Sequence, residues 1–160
     1  MKYRIVELDE FSGEMCKIYS LMEEGGKATL FDYFYDEWHK VLPDEVDNIA
    51  FRMYAIGNRF GAREQYFKMF EGKPGDGVCA LFDVPNSKLR LYGIRFGSIA
   101  LILGGGAEKP KNIRSWQEDQ NLSKQATIML DVSRAISDKI KNKEIILENN
   151  CFKGDLTIDL

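Results

Sequence analysis

The chain has 160 residues and a mass of 18.4 kDa, enough for one well-buried domain and short for two. Ten Phe, seven Tyr and two Trp within a 44% hydrophobic composition exclude a disordered or low-complexity polymer, and no apolar run approaches the roughly 20 residues of a membrane-spanning helix. The net charge is −3; three dispersed cysteines without a CxxC spacing read as small buried hydrophobes rather than a disulfide or zinc site, and a single histidine, His39, excludes any mechanism that needs two.

The opening MKYRIVELDEF turns acidic too early for the apolar core of a signal peptide, so a cytoplasmic location is expected. Residues 3–8 predict a first strand, and the alternation over residues 16–22 permits a second. Gly25 and Gly26 break the chain. Thr29 followed by Asp32 makes a capping box, and Phe31, Phe34, Trp38 and Val41 line one face of the helix beyond it. Pro43 suits the first position of a second helix, with Asp44 and Glu45 favourable at the positive end of its dipole. Val46, Ile49, Ala50, Met53 and Ile56 form its inner stripe, and Gly57 or Gly61 can end it.

The period then changes from helical to alternating. Residues 67–70, 78–83, 89–96 and 99–103 predict strands, separated by EGKPGDG, VPNS and GS. Gly97-Ser98 fits a two-residue type II′ hairpin, and the unbroken apolar run 99–103 predicts a central strand covered on both faces. Ser115 and Glu118 offer a second capping box before a long helix with Ala126, Met129, Ser133, Ile136 and Ile140 on its inner stripe. Residues 144–148 and 156–160, joined through Lys153-Gly154-Asp155, predict a small closing hairpin. The expectation is one α+β domain spanning residues 1–160: two N-terminal helices packed on a mostly antiparallel sheet, then a C-terminal helix.

The charge is unevenly spread. Residues 1–51 carry 5 basic and 12 acidic side chains (−7), residues 52–115 carry 11 and 5 (+6), and residues 116–160 carry 6 and 8 (−2). Phosphate binding answers to local potential, so the basic middle can present a positive face despite a sequence pI near 5.3. Its glycine clusters are not nucleotide loops: LGGGAEKPK lacks GxxxxGK[ST], and GKPGDG misses GxGxxG. Carboxylate pairs such as Glu23-Glu24 and Asp44-Glu45 sit at turns or helix starts and read as solvated surface, and His39 stands without a metal-ligand spacing.

What remains is LRLYGIRFGSIALILGGG followed by AEKPKNIR. Strand alternation puts Arg90 and Tyr92 on one face and Arg95 on the other. Lys109, Lys111 and Arg114 emerge where the apolar strand meets three glycines, which leave the backbone open to close approach. Cations around a tyrosine suit a polyanion, because arginine grips phosphate with two donors and an aromatic ring stacks on an unpaired base. The competing reading pairs Arg90 and Arg95 with the acidic N-terminal third and leaves Tyr92 in the core.

The run FKMFEGKPGDGVCALFD…SKLRLYGIRFGSIALILGGGAEKPK, within residues 61–122, resembles the RelE/HigB-like toxins of bacterial type II toxin–antitoxin pairs. Arg90 falls in their arginine-bearing strand with Tyr92 just after it, residues 101–104 match the exit of the apolar strand, and Lys109-Pro110-Lys111 matches the basic tail. The resemblance implies a RelE-like fold and an mRNA interferase, a ribosome-dependent endoribonuclease neutralised by a helix-turn-helix antitoxin. It implies cleavage of mRNA in the ribosomal A site with no metal or other cofactor, the RNA's own 2′-hydroxyl attacking the adjacent phosphate. Arg90 and Lys109 would then stabilise the phosphorane-like transition state. Tyr92 would stack or donate a proton, and Arg63, Lys68, Arg95, Lys111 and Arg114 would bind RNA. The chain departs from that family in its acidic balance, its added terminal segments and its lack of a site histidine in the matching region. The alternative expectation is a non-catalytic protein-binding module on the same scaffold, docking through an acidic aromatic face that includes Tyr33, Phe34 and Tyr35.

Overall fold

Burial alternates at the start of the first strand and is continuous over residues 18–21 of the second. A computed structural model describes residues 1–69, 77–81, 86–111 and 116–160, with the side chains of residues 116 and 117 left out. In it β1 (Lys2–Glu7) and β2 (Lys17–Glu23) run antiparallel, with Ile5 opposite Leu21. β3 (Phe67–Met69), β4 (Val78–Leu81), β5 (Leu89–Phe96) and β6 (Ala100–Glu108) form an antiparallel series, and β6 closes against β2 in parallel, Ile18 opposite Leu101. The last strand of the chain, β9 (Thr157–Asp159), lies on the outer side of β1. The sheet order is β3-β4-β5-β6-β2-β1-β9, antiparallel at every junction except β2–β6.

Helices α1 (Leu30–His39) and α2 (Pro43–Ala55) cover one face and α3 (Trp116–Lys141) the other. The expected helices are all present, but the third lies across the sheet from the first two. Phe31, Phe34, Val46, Ile49 and Met53 pack on Ile18, Leu101 and Leu103 on one side, whereas Met129, Val132 and Ile136 meet Ile102, Ile94 and Leu21 on the other. The apolar run of β6 is therefore covered on both faces, as its composition predicts.

Local chemistry sets the helix limits. Thr29 Oγ1 accepts from the Asp32 amide at 3.1 Å while Asp32 Oδ2 accepts from the Thr29 amide at 2.9 Å, completing the capping box. Phe31 and Phe34 are buried and Trp38 is half-buried, but Val41 is 64% exposed because α1 has ended before it. Pro43 is at the start of α2 as expected. That helix runs into a π-turn (Ile56–Phe60) closed by Gly61, whose φ of +76° is the left-handed conformation that glycine adopts without strain.

Three expectations are corrected. The β5–β6 connection has three residues, since Phe96 opposes Ala100, although Gly97 supplies the expected positive φ of +58°. β6 does not stop at Leu103 but continues through all three glycines to Glu108. The closing hairpin joins β7 (Ile145–Glu148) to β8 (Cys151–Gly154), not to the C-terminal residues. Asn149 and Asn150, with φ of +52° and +65°, make its two-residue turn, which suits a type I′ geometry and frees β9 to reach β1. On the α3 stripe Ala126, Met129, Ser133 and Ile136 are buried, but Ile140 is 38% exposed. Phe70, residues 71–76, residues 82–85 and Ser115 of the second capping box lie outside the described residues. No described helix is long and apolar enough to cross a membrane.

The three cysteines are unbridged thiols, Cys16 and Cys79 fully buried. Burial pushes both thiols up to about 12, and burial likewise raises the Tyr19 phenol to about 12 even though it accepts the Phe152 amide at 3.1 Å. The unfolded chain releases these protons at lower pH than the folded one, so it binds fewer protons in between. Stability should therefore be intact below pH 9 and fall by about 1 kcal/mol per pH unit for each thiol above it. Denaturant midpoints measured from pH 7 to 11 check this; a flat profile above pH 9 contradicts it.

Candidate nucleic-acid interface

Strand register decides which predicted site residues meet. On β5, Leu89 and Leu91 join the cluster beneath α2, while Tyr92 and Ile94 join the one beneath α3. Alternation therefore turns Arg90 toward α3 with Tyr92. Arg90 opposes Ala107 on β6, and the Lys109 amide continues the ladder by donating to the Lys88 carbonyl at 2.7 Å. Lys109 is thus two positions beyond the partner of Arg90, a diagonal relation that puts strand neighbours about 7–8 Å apart. The same alternation carries Lys109 to the side of Ala107, which faces α3. Lys109 is half-buried, its ammonium donating to Ser87 Oγ at 3.2 Å, and Arg90 is half-buried with its Nε screened from solvent.

Lys68 belongs to the same side. It opposes Ala80, and Ala80 opposes Tyr92, so the three make one row across β3, β4 and β5. With strands near 4.8 Å apart, Lys68 stands about 10 Å from Tyr92, exposed at the sheet edge.

The remaining residues separate. Arg95 turns to the opposite face, where its Nε donates to the Ala62 carbonyl at 2.8 Å and its guanidinium lies 5.9 Å from the Phe67 ring centre. These partners, a backbone carbonyl and an aromatic ring, belong to residues 62 and 67 and not to the acidic N-terminal third. Tyr92 is 3% exposed, a core side chain whose ring is not presented for base stacking. The Lys111 ammonium lies 3.7 Å from Glu108 and 3.9 Å from Glu118, and its amide donates to Glu118 Oε2 at 3.1 Å, so carboxylates offset its charge. Arg63 is exposed beside the π-turn, with Nε donating to the Phe60 carbonyl at 3.0 Å. Arg114 lies outside the described residues. The expected acidic aromatic face is reduced: Phe34 is buried, Tyr33 is 54% exposed, and Tyr35 stacks on His39 at 5.0 Å. His39 itself is half-buried, with its Nε2 3.0 Å from Asp47 Oδ1. Among the described residues no cluster of three His, Cys, Asp or Glu side chains is placed to hold a metal ion.

The three glycines serve packing. A Cβ at Gly104 would strike the Met129 thioether, one at Gly105 would come 2.5 Å from Gln125 Oε1, and one at Gly106 would strike the Arg90 carbonyl oxygen. The close approach they permit is made by α3 and β5, not left open for a ligand.

Sequence reasoning passed over the group that fixes the entrance of β5. Glu45 Oε1 accepts from the Lys88 and Leu89 amides, each at 2.7 Å. In the sequence it is only an acidic residue in a helix's first turn; its partner lies 43 positions away, beyond any local pattern. Charged acceptors make strong hydrogen bonds, so Glu45→Ala should cost about 2 kcal/mol and Glu45→Gln less. Chemical denaturation measures both; equal losses would show that the carboxylate charge is irrelevant.

Comparison with family models, curated proteins and solved structures finds no match to this chain. The functional reading therefore rests on geometry and chemistry. Two half-buried cationic side chains on neighbouring strands, one bidentate and one a compact point charge, form an arrangement suited to an oxyanion whose charge grows during reaction.

Proposed function

We propose that the chain is a RelE/HigB-like toxin: a ribosome-dependent endoribonuclease acting on mRNA, with the sheet and helices in a RelE-like arrangement. The observation that carries this reading is the diagonal relation of Arg90 and Lys109 on the α3 side of β5 and β6. The path strand–helix–helix–antiparallel strands–helix from β2 to α3 agrees with it.

In the proposed reaction the 2′-oxygen of an mRNA ribose attacks its own 3′-phosphorus and the 5′-oxygen of the next nucleotide leaves. The products are a 2′,3′-cyclic phosphate and a 5′-hydroxyl, and no group passes to the protein. Arg90 places two donors on the non-bridging oxygens, and Lys109 adds a point charge to the pentavalent phosphorus centre. Lys68 and Arg114 contact the RNA backbone. Tyr92 and Arg95 hold the strands in place, and Lys111 ties the end of β6 to α3. A helix-turn-helix antitoxin is the proposed regulator.

Induction of the chain alone in a bacterial host tests this. Growth should stop, with translated messages cut, and co-production of the neighbouring antitoxin gene should restore both. Harmless expression without that gene overturns the reading.

A further inference from the structure

On the face opposite Arg90 and Lys109, α2 and the turn that follows it enclose a groove of about 320 Å³. Its walls are Phe51, Ile56, Phe60, Tyr66 and Leu81, with Arg52 at the side. Ile56 and Leu81 are core residues that form its floor, whereas Phe51 is 65% and Phe60 44% exposed. The Phe60 and Tyr66 rings stand 6.0 Å apart in a tilted pair. Tyr54, 49% exposed, extends the apolar surface along α2. Large apolar side chains gathered in one concavity mark an interaction site, where scattered single ones do not.

The charge around the groove selects the occupant. From residue 52 to residue 67 the chain carries Arg52, Arg59 and Arg63 against one acid, Glu64, in a molecule whose first 51 residues are strongly acidic. Arg63, whose Nε donates to the carbonyl of the groove residue Phe60 at 3.0 Å, and Arg59, next to Phe60 in the chain, are exposed beside that lining. Asp47, one turn before Phe51, is engaged by His39 at 3.0 Å, and Glu45 by the start of β5. We infer that this groove binds an acidic segment of a partner protein, which seats one or two large apolar side chains among Phe51, Phe60 and Tyr66 and sets its carboxylates against Arg59 and Arg63. Aromatic anchors surrounded by a charged rim are the usual arrangement of such contacts. The groove lies across the sheet from the proposed ribonuclease site and does not depend on it.

Selection of a random-peptide display library on the full chain tests the inference. Enriched peptides should combine Phe, Leu or Trp with flanking Asp and Glu. Phe51→Asp should lower their affinity at least about tenfold, and Arg59→Glu with Arg63→Glu about fivefold, with a shallower salt dependence. Phe51 is exposed, so its replacement leaves the circular dichroism spectrum unchanged, and RNA cleavage by the Phe51→Asp variant should remain at the wild-type level. No enrichment, basic consensus peptides, or binding indifferent to Phe51→Asp overturns the inference. Binding of a single-stranded RNA oligomer that Phe51→Asp abolishes, with no acidic peptide retained, overturns it too and assigns the groove to RNA.

Discussion

Gly106→Ala should destabilise the fold by about 3 kcal/mol or more. The added methyl would fall on the Arg90 carbonyl oxygen with the Leu91 Cα 3.0 Å away, and both obstacles are backbone. Neither can rotate aside, so β5 and β6 must separate where their ladder carries Arg90 opposite Ala107. Gly104→Ala provides the scale, because its obstacle is the flexible Met129 side chain. Met129 is fully buried, so that variant should lose stability, but less than Gly106→Ala. Denaturant midpoints rank the two, and a Gly106→Ala loss below that of Gly104→Ala would contradict the packing described for β6.

The second large effect falls on activity. Removing one preorganised donor to a developing oxyanion costs on the order of 100- to 1,000-fold in rate. Arg90→Ala and Lys109→Ala should each weaken RNA cleavage by about that factor, and the double variant should reduce it to background. Arg90→Lys should recover only part of the loss, since it keeps the charge and gives up the fork. Arg95→Ala is the contrasting variant. It removes the hydrogen bond to Ala62 and the cation lying on Phe67, so it should lower stability while the correctly folded fraction cleaves normally. A cleavage rate that tracked stability across all five variants would remove the distinction between the two faces.

Much of the fold is legible locally. The capping box at Thr29, Pro43 at the start of α2 and the limits of β5 follow from spacing alone. What was not legible depends on distant partners. An apolar stripe has the same period whichever face it covers, so the sequence does not reveal that α3 lies across the sheet from α1 and α2. The parallel β2–β6 pairing joins Ser20 to Leu103, with two α-helices and three strands between. Glycines carry no side-chain period, so the extension of β6 through residues 104–106 left no trace in the pattern.

The candidate site divides in the same way. Alternation correctly separated Arg90 from Arg95, because the period of two is fixed by the backbone. It said nothing of what covers each face, so the Ala62 carbonyl and the Phe67 ring that hold Arg95 were not legible. Tyr92 belongs to the interior for a related reason: the helix that buries it begins more than twenty positions later.

The most direct measurement uses the purified chain and ribosomes holding a defined mRNA, with the new RNA ends mapped and their chemistry identified. The wild-type chain should cut at the A site and leave a 2′,3′-cyclic phosphate facing a 5′-hydroxyl, and the Arg90→Ala, Lys109→Ala protein should leave the message whole. Intact mRNA with the wild-type chain, or equal cutting by the doubly substituted protein, would contradict a phosphodiester site built on these two cations.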